Sequence, residues 1–205
     1  MNAWFLRSIM AGLILSLGVI GPSESEAARL KLVVGGPEFR PFPVAVPKVE
    51  VSGGVAKEGE NLAPVLTKTL REAAMLARSL ELLPPGSYLR SANDLAKAPV
   101  YRNWLNIGAS GLLRSTVEVR GTQVRLTLRF FDVVSQKELL AKAYSVSTSE
   151  AERATLEFID EVIRLLTGEA GVFSSKIAYI KQTKAGKALY ISDIAGGSER
   201  RLTDP

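Results

Sequence analysis

Two residue types are missing from this sequence, because none of its 205 residues is a cysteine or a histidine. Without cysteine, the chain has no disulfide, thiol nucleophile, thiolate metal site or lipid-anchored lipoprotein cysteine. Without histidine, it has no Ser-His-Asp triad and no imidazole ligand for zinc, copper or iron. Carboxylate, lysine and backbone chemistry remain, as does a carboxylate-only site for magnesium or calcium. These absences sharply narrow the classes of enzyme that the sequence allows.

Clusters of positive charge are scarce as well, although the chain carries a formal net charge of +5. Its Lys and Arg residues are scattered and never form a run of five or more. Aromatic residues make up 7% of the chain and do not alternate with basic ones, as a base-stacking platform would require. We therefore expect a solvated basic surface and no nucleic-acid partner.

The first 27 residues have the parts of a secretory signal peptide. Arg7 supplies the positive charge, and residues 9–20 form an apolar run of twelve. Ser25 and Ala27 place small residues where a signal peptidase needs them, so we expect cleavage before Ala28. A membrane-spanning helix needs about 20 apolar residues, and this run is shorter. The sequence thus predicts an exported protein that is not embedded in the membrane.

After the predicted cleavage site, short apolar stretches alternate with prolines and glycines. Residues 30–34 (LKLVV) predict a strand that ends at a Gly-Gly-Pro sequence. Pro41, Pro43 and Pro47 confine the next segment to a sheet edge or to the ends of a strand. Residues 53–60 are predicted to form a polar loop.

A helical period begins at Leu62, where apolar residues start to recur three and four positions apart. This spacing predicts an amphipathic helix with Asn61 as its cap and Pro64 in its first turn. The predicted apolar face comprises Leu62, Val65, Leu66, Leu70, Ala73, Ala74 and Ala77. Residues 79–89 then predict a brief strand, and Trp104 is interpreted as a core anchor on a short helix.

The middle of the chain predicts a meander of three antiparallel strands. Residues 112–119 and the alternating run 124–130 flank a glycine-containing turn, which is typical of a hairpin. Residues 138–146 add the third strand. Arg125 and Arg129 alternate with the apolar residues, so one face of this sheet is predicted to meet solvent or a partner.

A second helix is predicted by the Ser-x-x-Glu capping box at residues 147–150. Its apolar stripe consists of Leu156, Ile159, Val162, Ile163 and Leu166. Gly168 is the residue type expected just beyond a helix end. With the strands before it, this helix completes a predicted α/β domain over residues 28–170, built as a mixed β-sheet with packed helices.

The acids of this second helix are interpreted as members of surface ion pairs. Glu157 and Asp160 each stand four residues from an arginine, Arg153 and Arg164 respectively. This spacing brings opposite charges together on a helix surface. It explains these acids, and their neighbour Glu161, better than general acid–base catalysis does.

From residue 171 to residue 205 the sequence pattern is that of short strands without helices. Residues 176–180, 188–193 and 200–203 predict three short strands of one small antiparallel sheet, separated by Gly- and Lys-rich turns. Such a sheet is marginally stable unless one of its faces is covered. We therefore expect a hinge followed by the first part of a larger β-structure.

Five segments, taken in order, resemble the TolB family of periplasmic proteins. Residues 166–180 are similar to the family's hinge, in which an L-T-G-x-x-G-x-F motif leads into an I-A-Y strand. Residues 189–203 are similar to a strand pair of the family's β-propeller. Residues 39–47, 104–109 and 129–133 resemble the family's opening strand pair, its W-x-x-I-G-A segment and its R-L-Y-D-V strand. The resemblance implies a TolB-like amino-terminal domain followed by an incomplete propeller blade, since the family's repeated S-P-D-G turns are absent from the sequence.

The resemblance also implies a function. TolB-like proteins are non-enzymatic adaptors of the periplasmic Tol-Pal system, which supports outer-membrane integrity, cell division and protein import, and no cofactor or metal is implied. The family's amino-terminal segment binds the inner-membrane protein TolA, and its propeller binds the lipoprotein Pal. The positions that match the TolA-binding segment are Arg29, Leu30, Lys31, Leu32, Val33 and Val34. An extended apolar terminus can add to a partner's sheet edge, although the same residues also fit an ordinary strand of the domain's own sheet.

An exported enzyme that uses carboxylates, for example on cell-wall glycans, is the alternative function. A retaining pair needs two carboxyl groups about 5–5.5 Å apart, in a cleft with aromatic side chains that stack on sugars. The sequence offers few aromatic residues and no acid pair in an apolar setting. Two buried carboxylates facing each other across a pocket would favour this alternative.

Overall fold

The computed structural model describes residues 40–54, 56–88, 97–194 and 199–204. The predicted signal peptide and the strand predicted at residues 30–34 therefore lie outside the described residues. The strands are β1 (Phe42–Ala45), β2 (Glu50–Gly54), β3 (Leu80–Leu82), β4 (Gly111–Arg120), β5 (Gln123–Asp132), β6 (Lys137–Ser147), β7 (Lys176–Thr183), β8 (Gly186–Asp193) and β9 (Arg200–Arg201). The helices are α1 (Ala56–Leu76), α2 (Tyr101–Leu105) and α3 (Ala151–Thr167).

The first six strands form one mixed sheet, as predicted. Its order is β3-β1-β4-β5-β6, and β2 pairs with β4 beside β1. The pairs β1–β3, β1–β4 and β2–β4 are parallel, whereas β4–β5 and β5–β6 are antiparallel. Because β5 occupies the other edge of β4, β1 and β2 follow each other along the same edge.

The predicted meander is confirmed, and its alternation sorts the side chains onto two faces. Val124, Leu126, Leu128 and Phe130 are all buried on the face that α1 and α3 cover. Helix α1 packs over β2, β3 and β4, and α3 packs over β5 and β6. The helices and this face of the sheet thus form the main hydrophobic core.

The opposite face of the sheet is covered at one end by α2. Trp104 of α2 is only 1% exposed and packs in a second cluster with Leu112, Phe131 and Val133. Its ring meets the Tyr88 ring edge-on, with 5.6 Å between the centroids. The interpretation of Trp104 as a core anchor is therefore confirmed.

Strand β1 lies between β3 and β4, so of the two positions predicted for its prolines, a sheet edge or the ends of a strand, the structure shows the second. Pro43 is its second residue, and the pairing of β1 with β4 begins only at Val44. The missing Pro43 N–H therefore lies before the β4 ladder starts, while the Pro43 carbonyl accepts the Ser110 N–H at 2.9 Å. The short ladder tolerates an interior proline for this reason.

Helix α1 begins at Ala56, so the loop predicted at residues 53–60 and the cap predicted at Asn61 are wrong. Pro64 lies inside the helix rather than in its first turn. It faces solvent there, where the loss of one backbone hydrogen bond does not disturb the packed side.

The early start of α1 follows from its contact with β2, a strand that the sequence pattern did not indicate. Gly59 is buried, and a Cβ atom at this position would lie 2.7 Å from Cγ1 of Val51. The first turns of α1 therefore approach β2 more closely than a larger residue would allow. Burial against β2 stabilises a helix start that local propensity does not specify.

Helix α3 has both predicted end signals. Oε2 of Glu150 accepts the Ser147 N–H at 3.2 Å, and the Ser147 side chain accepts the backbone N–H of Glu150, which completes the capping box. The Ser147 hydroxyl also donates to Oε2 of Glu150 at 2.6 Å. A single 3₁₀ turn at Thr148–Glu150 leads into the helix. Gly168 ends it with φ 82°, the left-handed conformation that glycine adopts without strain.

The last three strands form the predicted small antiparallel sheet, in the order β7-β8-β9. Tyr179 and Tyr190 stack across β7 and β8, with 6.0 Å between the ring centroids. Glu199 accepts hydrogen bonds from Tyr179 and from Nζ of Lys181, and so joins the start of β9 to β7. Within the described ranges, no helix combines enough length and apolar character to cross a membrane.

Candidate functional site at the junction of the two sheets

The residues predicted to bind a partner, Arg29, Leu30, Lys31, Leu32, Val33 and Val34, lie outside the described residues. The described surface instead presents a groove where the small sheet meets α1 and α3. A linking segment, residues 168–175, runs between α3 and β7 along this groove. We call this segment the strap.

Asp160 of α3 binds the strap through both of its carboxylate oxygens. Oδ1 accepts the Phe173 N–H at 2.8 Å, and Oδ2 accepts the Ser174 N–H at 2.8 Å and the Ser174 hydroxyl at 2.6 Å. The side chain is buried, and its hydrogen bonds are made to the strap rather than to Arg164. The prediction of a surface ion pair for Asp160 is therefore wrong, whereas Arg153 and Glu157 do pair at 2.9 Å.

Gly171 and Phe173 press the strap against α3. A Cβ atom at Gly171 would lie 2.2 Å from Oδ1 and 2.4 Å from Cα of Asp160, so only glycine fits this approach. Phe173 is buried in the main core. At the same end of the β7–β8 pair, directly after β8, Ile194 packs against the same core. These contacts explain physically why the hinge motif carries glycine and phenylalanine at these positions.

The groove beside the strap has a volume of about 740 Å³. Its apolar wall includes Met75 and Leu76, which are 62% and 66% exposed. The remaining lining residues are Thr69, Glu72, Ala73, Ser149, Glu150, Glu152, Arg153, Leu156, Phe173, Ser174, Lys176, Asp193 and Ile194. Four of the lining side chains are acidic and two are basic, so an apolar wall is combined with an acidic rim.

Hydrogen bonds organise the rim of the groove where α3 begins. Both hydrogen bonds from Ser147 lower the pKa of Glu150, because they favour its ionised form. The Thr69 hydroxyl of α1 donates to Oε2 of Glu152 at 3.1 Å and so links the two helices. These contacts hold the carboxylates of Glu150 and Glu152 in place at the rim of the groove.

Buried carboxylates in the described part of the chain serve loops and do not face each other across a cavity. Asp160 binds the strap, and Asp132 accepts the N–H groups of Val134 and Ser135 and the Ser135 hydroxyl. Over residues 40–54, 56–88, 97–194 and 199–204, no group of three or more acids is arranged to hold a metal ion.

The face of the large sheet opposite α1 and α3 is open beyond α2. Arg129 pairs with Glu138, with 2.6 Å between Nε and Oε2. Glu118 binds Arg120 at 2.7 Å rather than Arg125, its cross-strand neighbour. Arg125 is exposed, as predicted for the outward positions of β5. This face therefore carries two ion pairs and the exposed Arg125.

Known proteins resemble this chain in both sequence and fold. The sequence profile described as the TolB amino-terminal domain matches residues 30–139, which is more than half of the chain. The chain belongs to the TolB family. The match covers β1 to β5, the start of β6 and the predicted partner-binding residues from Leu30 onward.

Relatives extend this similarity to nearly the whole chain. The protein named "Tol-Pal system protein TolB" from Anaeromyxobacter dehalogenans is 28% identical over 199 residues, covering 96% of this chain and 45% of the relative. A protein of the same name from Desulfosudis oleivorans is 28% identical over 198 residues, covering 93% of this chain and 44% of the relative. The chain thus spans less than half the length of these relatives.

A solved structure confirms the fold. The crystal structure of TolB from Acinetobacter baumannii matches with a TM-score of 0.65 at 16% identity, over 80% of this chain and 39% of that one. The mixed sheet with packed helices is therefore a TolB-type amino-terminal fold.

The sequence did not indicate that Asp160 binds the strap. Its i,i+4 arginine suggested a surface ion pair, and the partners it has in the structure lie thirteen and fourteen residues further along the chain. The sequence did contain one signal: the acidic Asp160 lies among the apolar residues of α3, close to Ile159 and Val162, which are buried.

Proposed function

We propose that this chain acts as a non-enzymatic adaptor of the Tol-Pal system, in the periplasm and after removal of residues 1–27. The observation that carries the proposal is the TolB amino-terminal domain over residues 30–139, together with the names of the relatives. The predicted export signal agrees with this location. The system's roles in outer-membrane integrity, cell division and protein import are proposed with it.

The proposed contact with a TolA-like inner-membrane protein is made by residues 29–34. Leu30, Leu32 and Val34 alternate with Lys31 and Val33, so an extended segment would place three apolar side chains on one side. The backbone of such a segment can pair with the edge of a partner's sheet, and its apolar side can fill pockets beside that edge.

Calorimetric titration with the third domain of the organism's own TolA tests this contact. The mature chain from Ala28 should bind, and removal of residues 28–35 should abolish binding. Leu32→Asp should weaken binding strongly, because it places a charge on the apolar side of the segment. Val134→Asp is the matched control, because Val134 is 66% exposed in the β5–β6 turn and is not part of residues 28–35. Equal affinity with and without residues 28–35 would refute the proposed contact.

The small sheet is proposed to be the beginning of a β-propeller. Ile180, Leu189, Ile191 and Leu202 share one of its faces by strand register. Ile180 is 69% exposed and Leu202 is 41% exposed, so this apolar face is ready to pack on a further sheet. Limited proteolysis tests this proposal. A resistant fragment that ends near Thr167, without the small sheet, would contradict the proposal that this sheet belongs to a larger β-structure.

Binding of a Pal-like lipoprotein is proposed to require the complete propeller. The 205-residue chain holds three strands of such a structure and should show no useful affinity for Pal in a pull-down. Micromolar or tighter binding of Pal to this chain would show that the Pal site lies elsewhere.

A further inference from the structure

The contacts of Asp160 go beyond what an adaptor role requires, because they connect the α/β domain to the small sheet at a buried position. We propose that Asp160 is a positioning residue that locks the strap onto α3, so that the predicted hinge is a rigid joint and the small sheet keeps one orientation on the α/β domain. This inference does not depend on which partner either part binds.

The first argument is the geometry of the carboxylate. Its two oxygens accept two successive backbone N–H groups, from Phe173 and Ser174, so they fix the rotation of the peptide between them. The Ser174 hydroxyl adds a third hydrogen bond to the same group. Hydrogen bonds to an ionised acceptor are stronger than neutral ones, and a buried setting strengthens them further.

The second argument is that packing and hydrogen bonds hold the strap along its length. Gly171 lies against the Asp160 backbone so closely that a Cβ atom would meet it at 2.4 Å. The Glu169 N–H donates to the Thr167 hydroxyl, and the Ser175 N–H donates to the Val172 carbonyl. The strap is therefore hydrogen-bonded at both ends and packed in its middle.

The third argument is that the β7–β8 pair is attached to the core at two points. Phe173 enters the core immediately before β7, and Ile194 packs on it immediately after β8. A sheet held at one point can swivel, whereas two points at adjacent strand ends oppose rotation about the strap. A force or a partner acting on the small sheet is therefore transmitted to α3.

Distance measurement between two spin labels tests the joint. Because the chain has no cysteine, Lys137→Cys and Lys187→Cys introduce unique labelling sites, one on each sheet and both exposed. The parent pair should give one narrow distance distribution. Asp160→Ala and Gly171→Ala should each broaden it, and Asp160→Asn, which keeps one acceptor oxygen, should have an intermediate effect. Glu157→Gln is the matched control on the same helix and should leave the distribution narrow.

A merely structural role would lower the melting temperature of Asp160→Ala without broadening the distribution, and that result would overturn the proposal. Amide exchange in the unmodified chain gives a second test that needs no folded variant. The amides of Phe173 and Ser174 should exchange about tenfold or more slowly than those of the β7–β8 turn at Lys184, because opening of the joint is required. Equal exchange rates at these positions would also overturn the proposal.

Discussion

Asp160 and Phe173 are thirteen residues apart in the sequence, yet Oδ1 of the first accepts the N–H of the second at 2.8 Å. This contact joins the middle of α3 to the segment that leads into the small sheet. It gives the L-T-G-x-x-G-x-F sequence a physical explanation, because the first glycine ends α3, the second allows close approach, and the phenylalanine enters the core.

Gly171→Ala should destabilise the protein. The new methyl group would overlap Oδ1 and Cα of Asp160, and overpacking of this kind costs about 1–3 kcal/mol. Gly86→Ala is the matched control, because a Cβ atom at Gly86 meets no heavy atom within 4 Å. Urea denaturation at neutral pH measures both effects. An unchanged denaturation midpoint for Gly171→Ala would contradict the close packing of the strap.

Gly59→Ala tests the contact that sets the beginning of α1. In the parent, the added Cβ would meet Cγ1 of Val51 at 2.7 Å, so the free energy of unfolding should fall. In a Val51→Ala background the clash is removed, and the same substitution should instead stabilise the helix by about 1 kcal/mol through propensity. A double-mutant cycle measures this coupling. The same effect in both backgrounds would show that Gly59 does not pack on β2.

Ser147→Ala should change the acid titration of Glu150. The Ser147 hydroxyl and N–H lower the pKa of this carboxyl below its ordinary value of 4.5. A lowered folded-state pKa stabilises the protein above 4.5, and that stability is lost as pH falls through the folded-state pKa. Ser147→Ala removes the hydroxyl, so the pKa of Glu150 should return toward 4.5. The folding stability lost on acidification should then be smaller. Carbon-detected NMR titration measures the pKa, and Thr148→Ala should leave it unchanged.

Tyr144→Phe should preserve or raise stability at neutral pH. The Tyr144 hydroxyl is buried and has no hydrogen-bond partner in the part of the chain that the structure describes, so its removal should gain up to about 1 kcal/mol. Burial, with the charges of Glu161 and Glu157, raises the pKa of Tyr144 to about 12.

Tyr144→Phe should also change how much folding stability is lost at alkaline pH. In the unfolded chain Tyr144 loses its proton near pH 10.0, whereas in the folded chain it keeps the proton until about pH 12. The parent protein therefore loses stability as pH rises between these two values. Denaturation curves across this range should show a smaller loss for Tyr144→Phe. Equal alkaline losses in the parent and in Tyr144→Phe would refute the assignment.

The meander and the capping box of α3 were predictable because each is encoded within a few neighbouring residues. Val124 to Phe130 alternate with period two, and Ser147 and Glu150 are three residues apart. Such patterns specify a strand or a helix start whatever packs upon it. The small sheet was predictable for the same reason. The groove was not, because its walls come from α1, α3 and the strap.

The errors share one cause, which is that a distant contact outweighed a local preference. Asn61 is a good cap residue, but burial of Gly59 against β2 extends α1 past it. Asp160 has an arginine four residues away, but the strap offers it two backbone donors in a buried position.

The sequence by itself determined the missing cysteine and histidine chemistry, the predicted export signal, the mixed α/β pattern, the small final sheet and the resemblance to the TolB family. These features depend on composition, on short motifs and on the periods of strands and helices. Only the tertiary structure decided where α1 begins, which strand is interior and what Asp160 binds. Each of those depends on a close approach between segments that are far apart in the chain, and no local period records such an approach.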